Sequence, residues 1–142
     1  MFYTGMRRNE VRGLLWEDVQ PGFKMIILPA GTTKTKTRQF VRLTSDAIQL
    51  LKRQPQTKQT PYVFYNPKTL LPWDARWISY RFELVLKAVG IREKGICVHA
   101  LRHSFISHLV MAGVDLRTVQ ELARHTDFQT TLRYSHLSPD IS

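Results

Sequence analysis

A change in the spacing of apolar residues near position 45 most constrains the fold of this chain. Before it, two short apolar runs, residues 23–28 and 39–43, flank a polar segment rich in threonine and lysine, residues 31–37, as in a β-hairpin. After it, apolar residues recur at helical spacing through most of the remaining sequence. The pattern predicts a mostly helical α+β domain with one small antiparallel sheet.

Capping residues and chain breakers divide the helical part into segments. Each predicted helix has one apolar face, and most have a capping residue or a glycine or proline at one end. Residues 62–65 predict a third short strand, and Cys97 is expected to be a small buried residue. The first predicted helix begins near Arg8. The others run from Ser45 to before Pro55, from Asp74 to Gly90, over 99–111, over 115–125 and, as a last helical turn, over 130–135.

The charge balance of the 142 residues narrows the class of partner. Lysine and arginine total 21 and aspartate and glutamate 11, so the formal net charge is +10. A basic excess of this size on a small folded domain favours a polyanionic partner such as a nucleic acid. One cysteine excludes an intrachain disulfide framework and indicates a reducing compartment. Since there is no membrane-length apolar run and no signal-peptide pattern, we expect a cytoplasmic protein without membrane contact.

Polar groups of unusual character lie in four separated patches. On a helix, His99, Arg102 and His103 occupy positions i, i+3 and i+4 and therefore project from one face. A guanidinium between two imidazoles suits an anion, and a phosphodiester matches its two-donor geometry. The other three patches are Arg7 with Glu10, Lys34 with Lys36, and His125 with Tyr134.

Taken singly, the patches have ordinary structural explanations. Two imidazoles at i, i+4 resemble part of a zinc site, but residue 100 is alanine and no clear third ligand follows, so no metal is predicted. The acid–base pair near the N-terminus would alone be a surface ion pair, and the hairpin amines would be solvated charges. The tyrosine alone would be a half-buried packing residue. Only the combination is informative.

Five segments, in this order and spacing, resemble the tyrosine recombinase (phage integrase) family. No single segment is specific, but together they extend over nearly the whole chain, and the nine-residue interval from His125 to Tyr134 is the usual one in that family. The resemblance implies the fold of the recombinase catalytic domain, shortened at its N-terminus, in a prokaryotic, nucleoid-associated enzyme. The segments are TGMRRNE at 4–10, TKTKTR at 33–38 leading to VRL at 41–43, HALRHSF at 99–105, LARH at 122–125 and TLRYSH at 131–136.

The resemblance also implies a role for each residue. Tyr134 would attack the scissile phosphate and form a 3′-phosphotyrosyl link, with no metal, ATP or other cofactor. His99 would help to remove the phenol proton, and His125 would donate a hydrogen bond to the phosphate. Lys34 would be the general acid, with Lys36 as its nearest rival. The implied catalytic residues are Arg7, Lys34, His99, Arg102, His125 and Tyr134; Glu10 would orient Arg7; and the implied DNA-binding residues are Lys36, Arg38, His103 and Arg124.

The chain also departs from the family pattern. Only three residues precede Thr4, so we expect residues 1–142 to be a single catalytic domain without the N-terminal core-binding domain. Position 124 is arginine where the family commonly has glycine. The implied partners are double-stranded DNA and further recombinase protomers, in a tetramer on DNA. The alternatives are a noncatalytic DNA-binding remnant of an integrase, an enzyme like a type IB topoisomerase and, less favoured, a metal-dependent nuclease.

Overall fold

The fold places a two-stranded sheet beside six α-helices in a computed structural model that describes residues 1–33 and 35–139. This arrangement confirms the predicted α+β class. The position of Lys34, the predicted general acid, lies outside the described residues. The elements are α1 (Arg8–Arg12), β1 (Met25–Leu28), β2 (Gln39–Arg42), α2 (Ser45–Lys52), α3 (Ala75–Ala88), α4 (Ala100–Met111), α5 (Leu116–Ala123) and α6 (Phe128–Leu132), with short 3₁₀ turns at Trp16–Asp18, Pro21–Phe23, Ala30–Thr32 and Ser135–Leu137.

The sheet is the predicted hairpin with slightly shorter strands. β1 and β2 pair antiparallel, from Met25 opposite Arg42 to Leu28 opposite Gln39. The third strand predicted over residues 62–65 is wrong, because Tyr62 forms only an isolated bridge with Leu15. This bridge holds the segment against the residues that follow α1, and no ladder of further bridges continues from it within the described residues.

Side-chain oxygens cap α2, α3 and α5, and for α3 and α5 the capping residue is the one at which the predicted helix begins. The Asp74 carboxylate accepts the N–H groups of Arg76 and Trp77 at the start of α3. Asp115 likewise caps α5 by accepting the N–H of Thr118. The predicted start of this helix, with Ser45 as its cap, is wrong by one position, because the hydroxyl of Thr44 accepts the N–H of Ala47. Both residues are good cap formers, and the backbone of Thr44 is the extended one that a cap requires.

Two apolar clusters hold the domain together. The first joins the hairpin to α1 and α2, and the second joins α4 to α5, with the ring of Tyr134 packed against it. The second cluster therefore fixes the segment after α6 relative to α4. The first cluster contains Met6, Leu14, Ile26, Leu28, Val41, Leu51 and Val63, and the second contains Ile106, Val110, Val119 and Ala123.

Two burial predictions differ from the structure. The predicted apolar face of α3 is only partly covered, since Val85 and Val89 are 56% and 64% exposed. Cys97, predicted to be buried, is exposed because it lies in the loop before α4 rather than inside that helix. Among the described residues no helix has both the length and the apolar character to span a membrane.

Gly5 brings the N-terminal segment into direct contact with α4. Its φ is +65°, and a Cβ at this position would lie 2.6 Å from the ring of Phe105. Only glycine accepts both this conformation and this approach. The close approach allows the carbonyl of Gly5 to accept a hydrogen bond from Arg102 on α4. The fold therefore connects the N-terminal segment to the helix that carries the HALRH motif.

Candidate active site

Arg102 lies at the centre of the site and is buried. Its residue surface is 3% exposed, its Nη1 donates to the carbonyl of Gly5, and its Nη2 donates to the carbonyl of Ala123 at 2.6 Å. Burial, and then the neighbouring charges of Arg7 and Arg124, lower the pKa of Arg102 to about 10. The guanidinium therefore stays charged at neutral pH. Two of its five N–H groups are hydrogen-bonded to backbone carbonyls, and the other three form no hydrogen bond with a described residue.

Arg7 shares the carboxylate of Glu10 with Arg124. Nη1 of Arg7 lies 3.1 Å from Oε1 of Glu10, and Nη2 of Arg124 lies 2.7 Å from Oε2 of Glu10. Burial acts to raise the pKa of Glu10, but the hydrogen bond and charge of Arg124, and then Arg7, outweigh it and lower the pKa. Glu10 is therefore ionised, as its predicted role in orienting Arg7 requires.

His125 follows the C-terminal end of α5 and is held from two sides. Its Nδ1 lies 2.9 Å from the hydroxyl of Thr131, a residue with no exposed surface, and its backbone carbonyl accepts from the amide of Gln120. Burial, and then Arg102, Arg7 and His103, lower the pKa of His125 to about 4. The ring is therefore neutral at pH 7. The Thr131 hydroxyl can donate to Nδ1, which leaves the ring hydrogen on Nε2 for a phosphate oxygen.

The hydroxyl of Tyr134 is hydrogen-bonded to Nδ1 of His103. This differs from the implied pairing of Tyr134 with His99. Position 103 is one residue beyond Arg102 on α4, and its imidazole is exposed above the second apolar cluster that holds the tyrosine ring. Burial raises the pKa of Tyr134, and the charges of Arg102 and Arg133 oppose that rise. The phenol is therefore protonated at neutral pH and needs a proton acceptor.

His99 is adjacent to the tyrosine's partner and faces an open cavity. Its ring meets that of His103 edge to face, with centroids 5.4 Å apart. Burial, and then His103 and Arg102, lower the pKa of His99. The cavity has a volume of about 610 Å³ and is lined by Arg7, Glu10, His99 and, at its rim, the exposed Cys97.

The hairpin tip is less closely tied to the site than the helices are. Lys36 and Arg38 are exposed, and neither side chain forms a hydrogen bond or ion pair with another described residue. The backbone of Lys36 adopts a left-handed conformation with φ of 54°, stabilised by its N–H bond to the carbonyl of Thr33. A second open cavity, of about 620 Å³, separates this hairpin from His125 and is lined also by Thr35, Gln39 and Arg124.

The structure brings most of the predicted site residues together. Arg102 and Arg7 donate to the carbonyls of Ala123 and Arg124, directly before His125, and the hydroxyl of Tyr134 meets His103, next to Arg102 on α4, so these groups share one region. The cluster can bind one doubly coordinated anion beside a phenol. Arg124, predicted to contact DNA, is instead buried against Glu10 and Gln39. Sequence reasoning missed the contacts made by Gln39 and Thr131, for which no spacing signal exists.

The pKa of His125 predicts a loss of stability in acid. Because unfolded histidine titrates near pH 6.5, the unfolded chain takes up a proton between about pH 6.5 and 4 that the folded chain does not. Stability therefore falls as the pH falls through this window. Since His125 is partly exposed, we expect His125→Asn to remove only about 1–2 kcal/mol of that loss.

Urea unfolding at pH 7 and pH 4.5 measures this contribution. A His136→Asn variant, which loses an exposed imidazole two residues after Tyr134, is the matched control. If His125→Asn shows the same difference between the two pH values as the unsubstituted chain, the assignment of the low pKa to His125 is wrong.

The comparisons with known proteins agree with this geometry. The model of the phage integrase family matches residues 1–140. A tyrosine recombinase XerC from Pediococcus pentosaceus is 33% identical over 99% of this chain and 48% of the relative, and a XerC from Pseudomonas savastanoi pv. phaseolicola is 36% identical over 96% of this chain and 46% of the relative. The chain spans about half the length of the curated relatives it matches.

Solved structures share the fold at comparable coverage. The XerA recombinase has a TM-score of 0.79 at 26% identity, covering 96% of this chain and 50% of that protein. The XerH recombinase bound to its difH substrate has a TM-score of 0.78 at 27% identity, covering 95% and 40%. Because the family model extends over nearly the whole sequence, the chain belongs to the tyrosine recombinase (phage integrase) family.

Proposed function

We propose that this chain is the catalytic domain of a site-specific DNA recombinase that cleaves and rejoins strands through a covalent bond to Tyr134. The observation that carries the proposal is the hydrogen bond between Tyr134 and His103 beside the charged groups of Arg7 and Arg102. This arrangement would supply a nucleophile, a proton acceptor and an anion site from side chains of the protein. The net charge of +10 supports DNA as the substrate.

The two arginines would neutralise the scissile phosphate. Arg7 is partly exposed, with 23% of its side chain accessible, and Arg102 keeps free N–H groups after its two backbone contacts. Guanidinium groups stay charged and bind phosphate oxygens in pairs, so together they can stabilise the charge that develops on the two non-bridging oxygens. His125, neutral and fixed by Thr131, would add a hydrogen bond to the same phosphate.

The phenol must lose its proton during attack. At an ordinary pKa near 10, only about one phenol in a thousand is ionised at pH 7, equivalent to roughly 4 kcal/mol, and burial raises the pKa of Tyr134 further. His103 is the group in contact with the hydroxyl, so its Nδ1 would take the proton as Oη bonds to phosphorus. The ring of His99 contacts the ring of His103, so His99 would act through His103 and not directly on the phenol.

The departing oxygen needs a proton in the same step. As the bond from Tyr134 Oη to phosphorus forms, the bond from phosphorus to the 5′ oxygen breaks. A hairpin amine, Lys34 or Lys36, would supply the proton. Since one phosphodiester replaces another, the bond energy is kept for rejoining, and the cycle needs neither ATP nor another cofactor. Rejoining reverses each transfer.

Strand exchange would require further partners. A solved structure shows the XerH recombinase bound to its difH substrate in a pre-cleavage complex. For this chain we propose duplex DNA and additional recombinase protomers, up to a tetramer, as partners. The net charge of +10 would give that binding a steep dependence on salt concentration.

A trapping experiment tests the chemistry without knowledge of the target site. The chain is mixed, at low salt and in EDTA, with a library of nicked duplexes whose central segment is randomised and labelled on either side of the break. A nick beside the cleaved bond releases a short strand and so prevents rejoining. We expect an adduct that resists SDS and carries the label from the strand on the 5′ side of the break, joined through its 3′ phosphate.

Other outcomes correspond to the alternative functions. DNA binding without any adduct would indicate a noncatalytic remnant, and cleavage abolished by EDTA would indicate a metal-dependent nuclease. Relaxation of supercoiled plasmid with no sequence enrichment among trapped duplexes would indicate an activity of the type IB topoisomerase kind. Each of these results contradicts the proposed recombinase function.

A further inference from the structure

Arg124 occupies a buried position between the two arginines of the proposed phosphate site. We propose that Arg124 is a positioning residue, which keeps Glu10 from neutralising Arg7 and holds Arg7 and Arg102 through the carbonyls at the end of α5. This inference rests on the proposed function, because it explains how the anion site of that reaction is kept charged. It assigns Arg124 no contact with DNA.

The backbone at this position is the first part of the argument. Arg124 has φ of 57° and ψ of 43°, a left-handed conformation that ends α5. In that turn the carbonyl of Ala123 accepts from Nη2 of Arg102 at 2.6 Å, and the carbonyl of Arg124 accepts from Nη2 of Arg7 at 3.4 Å. Glycine adopts the same conformation without strain, so the backbone contacts can be kept when the side chain is removed.

The side chain makes its own set of contacts. Nη2 lies 2.7 Å from Oε2 of Glu10, and Nη1 donates to Oε1 of Gln39 on β2 at 2.8 Å. Only 6% of the side chain is exposed. Its Nε is buried without an acceptor among the described residues. The guanidinium is therefore directed into the protein, where it joins α5 to α1 and to the hairpin, and is turned away from solvent.

The charge balance of the triad explains why this matters. Arg7, Glu10 and Arg124 together carry a net charge of +1, with one carboxylate divided between two guanidinium groups. Without Arg124, Glu10 could offer both oxygens to Arg7, and the remaining pair would be neutral. A neutral pair attracts a phosphate much less than a charged triad does. Arg124 thus preserves the positive potential at Arg7 without itself binding the phosphate.

Inorganic phosphate is the probe that tests the proposal without relying on cleavage. Its affinity is measured by titration of the histidine ring resonances in the unsubstituted chain and in Arg124→Gly. We expect about a tenfold weaker affinity in the variant. Arg53→Gly is the matched control, because Arg53 also follows a helix end and its loss removes the same charge from an exposed position. The control should bind phosphate as the unsubstituted chain does.

Duplex binding and adduct formation separate positioning from direct contact. Because a small displacement of a phosphate-binding group costs up to about a hundredfold in rate, we expect adduct formation by Arg124→Gly to slow about 10- to 100-fold. Duplex affinity should change less than about twofold, with an unchanged salt slope. Arg124→Lys, which restores the charge beside Glu10, should recover most of the phosphate affinity and guards against misfolding of the glycine variant.

Two results would overturn the proposal. One is unchanged phosphate affinity in a folded Arg124→Gly chain, which would show that the side chain does not support the anion site. The other is a salt slope reduced by about one, the signature of a lost phosphate contact with DNA. If the unsubstituted chain forms no adduct at all, the proposed function fails, while the phosphate titration still decides the role of Arg124.

Discussion

The Tyr134→Phe chain is expected to bind duplex DNA normally and to form no covalent adduct, a loss of at least about 10³-fold in trapping rate. Phenylalanine keeps the ring that packs against Ile106, Val110 and Val119, so the fold should be preserved. The hydroxyl is bonded only to the exposed His103 among the described residues, and its removal leaves no buried group unpaired. The variant therefore isolates the nucleophile from the scaffold.

The measurement is the amount of SDS-resistant adduct on the nicked duplex library, with duplex affinity measured in parallel. Tyr80→Phe is the matched control, because it removes a phenol that is 58% exposed on α3. It should form as much adduct as the unsubstituted chain. Equal amounts of adduct from Tyr134→Phe and the unsubstituted chain would show that another residue is the nucleophile.

The second large effect is expected from Arg102→Lys. The guanidinium of Arg102 holds the carbonyls of Gly5 and Ala123 and still has N–H groups for a phosphate, whereas a single ammonium group cannot span these three acceptors. We expect cleavage to fall by about 10³-fold or more, as when preorganised donors are removed from a transition state. An unpaired carbonyl should also lower the free energy of unfolding by about 1–3 kcal/mol.

Duplex affinity is the measurement that separates these effects. Because lysine retains the positive charge and binding depends on many basic groups, most of the affinity should remain. Arg117→Lys, at an exposed position on α5, is the control for an arginine-to-lysine change. A parallel loss of binding and cleavage in Arg102→Lys, at a temperature where the chain is folded, would indicate a purely structural role.

Much of the fold follows from local sequence signals. The hairpin and the helices capped by Asp74 and Asp115 depend on residues that act on their immediate neighbours, and these elements are confirmed. The predicted strand over 62–65 fails because an apolar segment needs a partner strand, and this segment forms only an isolated bridge, from Tyr62 to Leu15. Pairing of that kind depends on tertiary context.

The sequence predicts which residues belong to the site more readily than it predicts which of them contact each other. The i, i+3, i+4 spacing on α4 predicts one face for His99, Arg102 and His103, but not that Arg102 is buried while His103 meets the phenol. Helical spacing sets the direction of a side chain, whereas its partner depends on segments far along the chain. Tyr134 lies 31 residues from His103, and no local pattern reports that distance in space.

Arg124 is a further residue whose contacts cannot be predicted from its position in the sequence. Its sequence position suggests a surface contact beside His125, but its side chain turns inward to Glu10, 114 residues away, and to Gln39, 85 residues away. The left-handed backbone at position 124 determines this direction, and a sequence that has arginine there gives no sign of it. The residue's role therefore becomes apparent only when the three segments are packed together.

Peptide mapping of the trapped complex tests the central claim most directly. After nuclease and protease digestion of the adduct formed in EDTA, mass spectrometry should find a nucleotide joined by its 3′ phosphate to the peptide containing Tyr134, and fragmentation should place it on that residue. A nucleotide on any other side chain, or one joined through a 5′ phosphate, would contradict the assignment of Tyr134 as the group that attacks DNA.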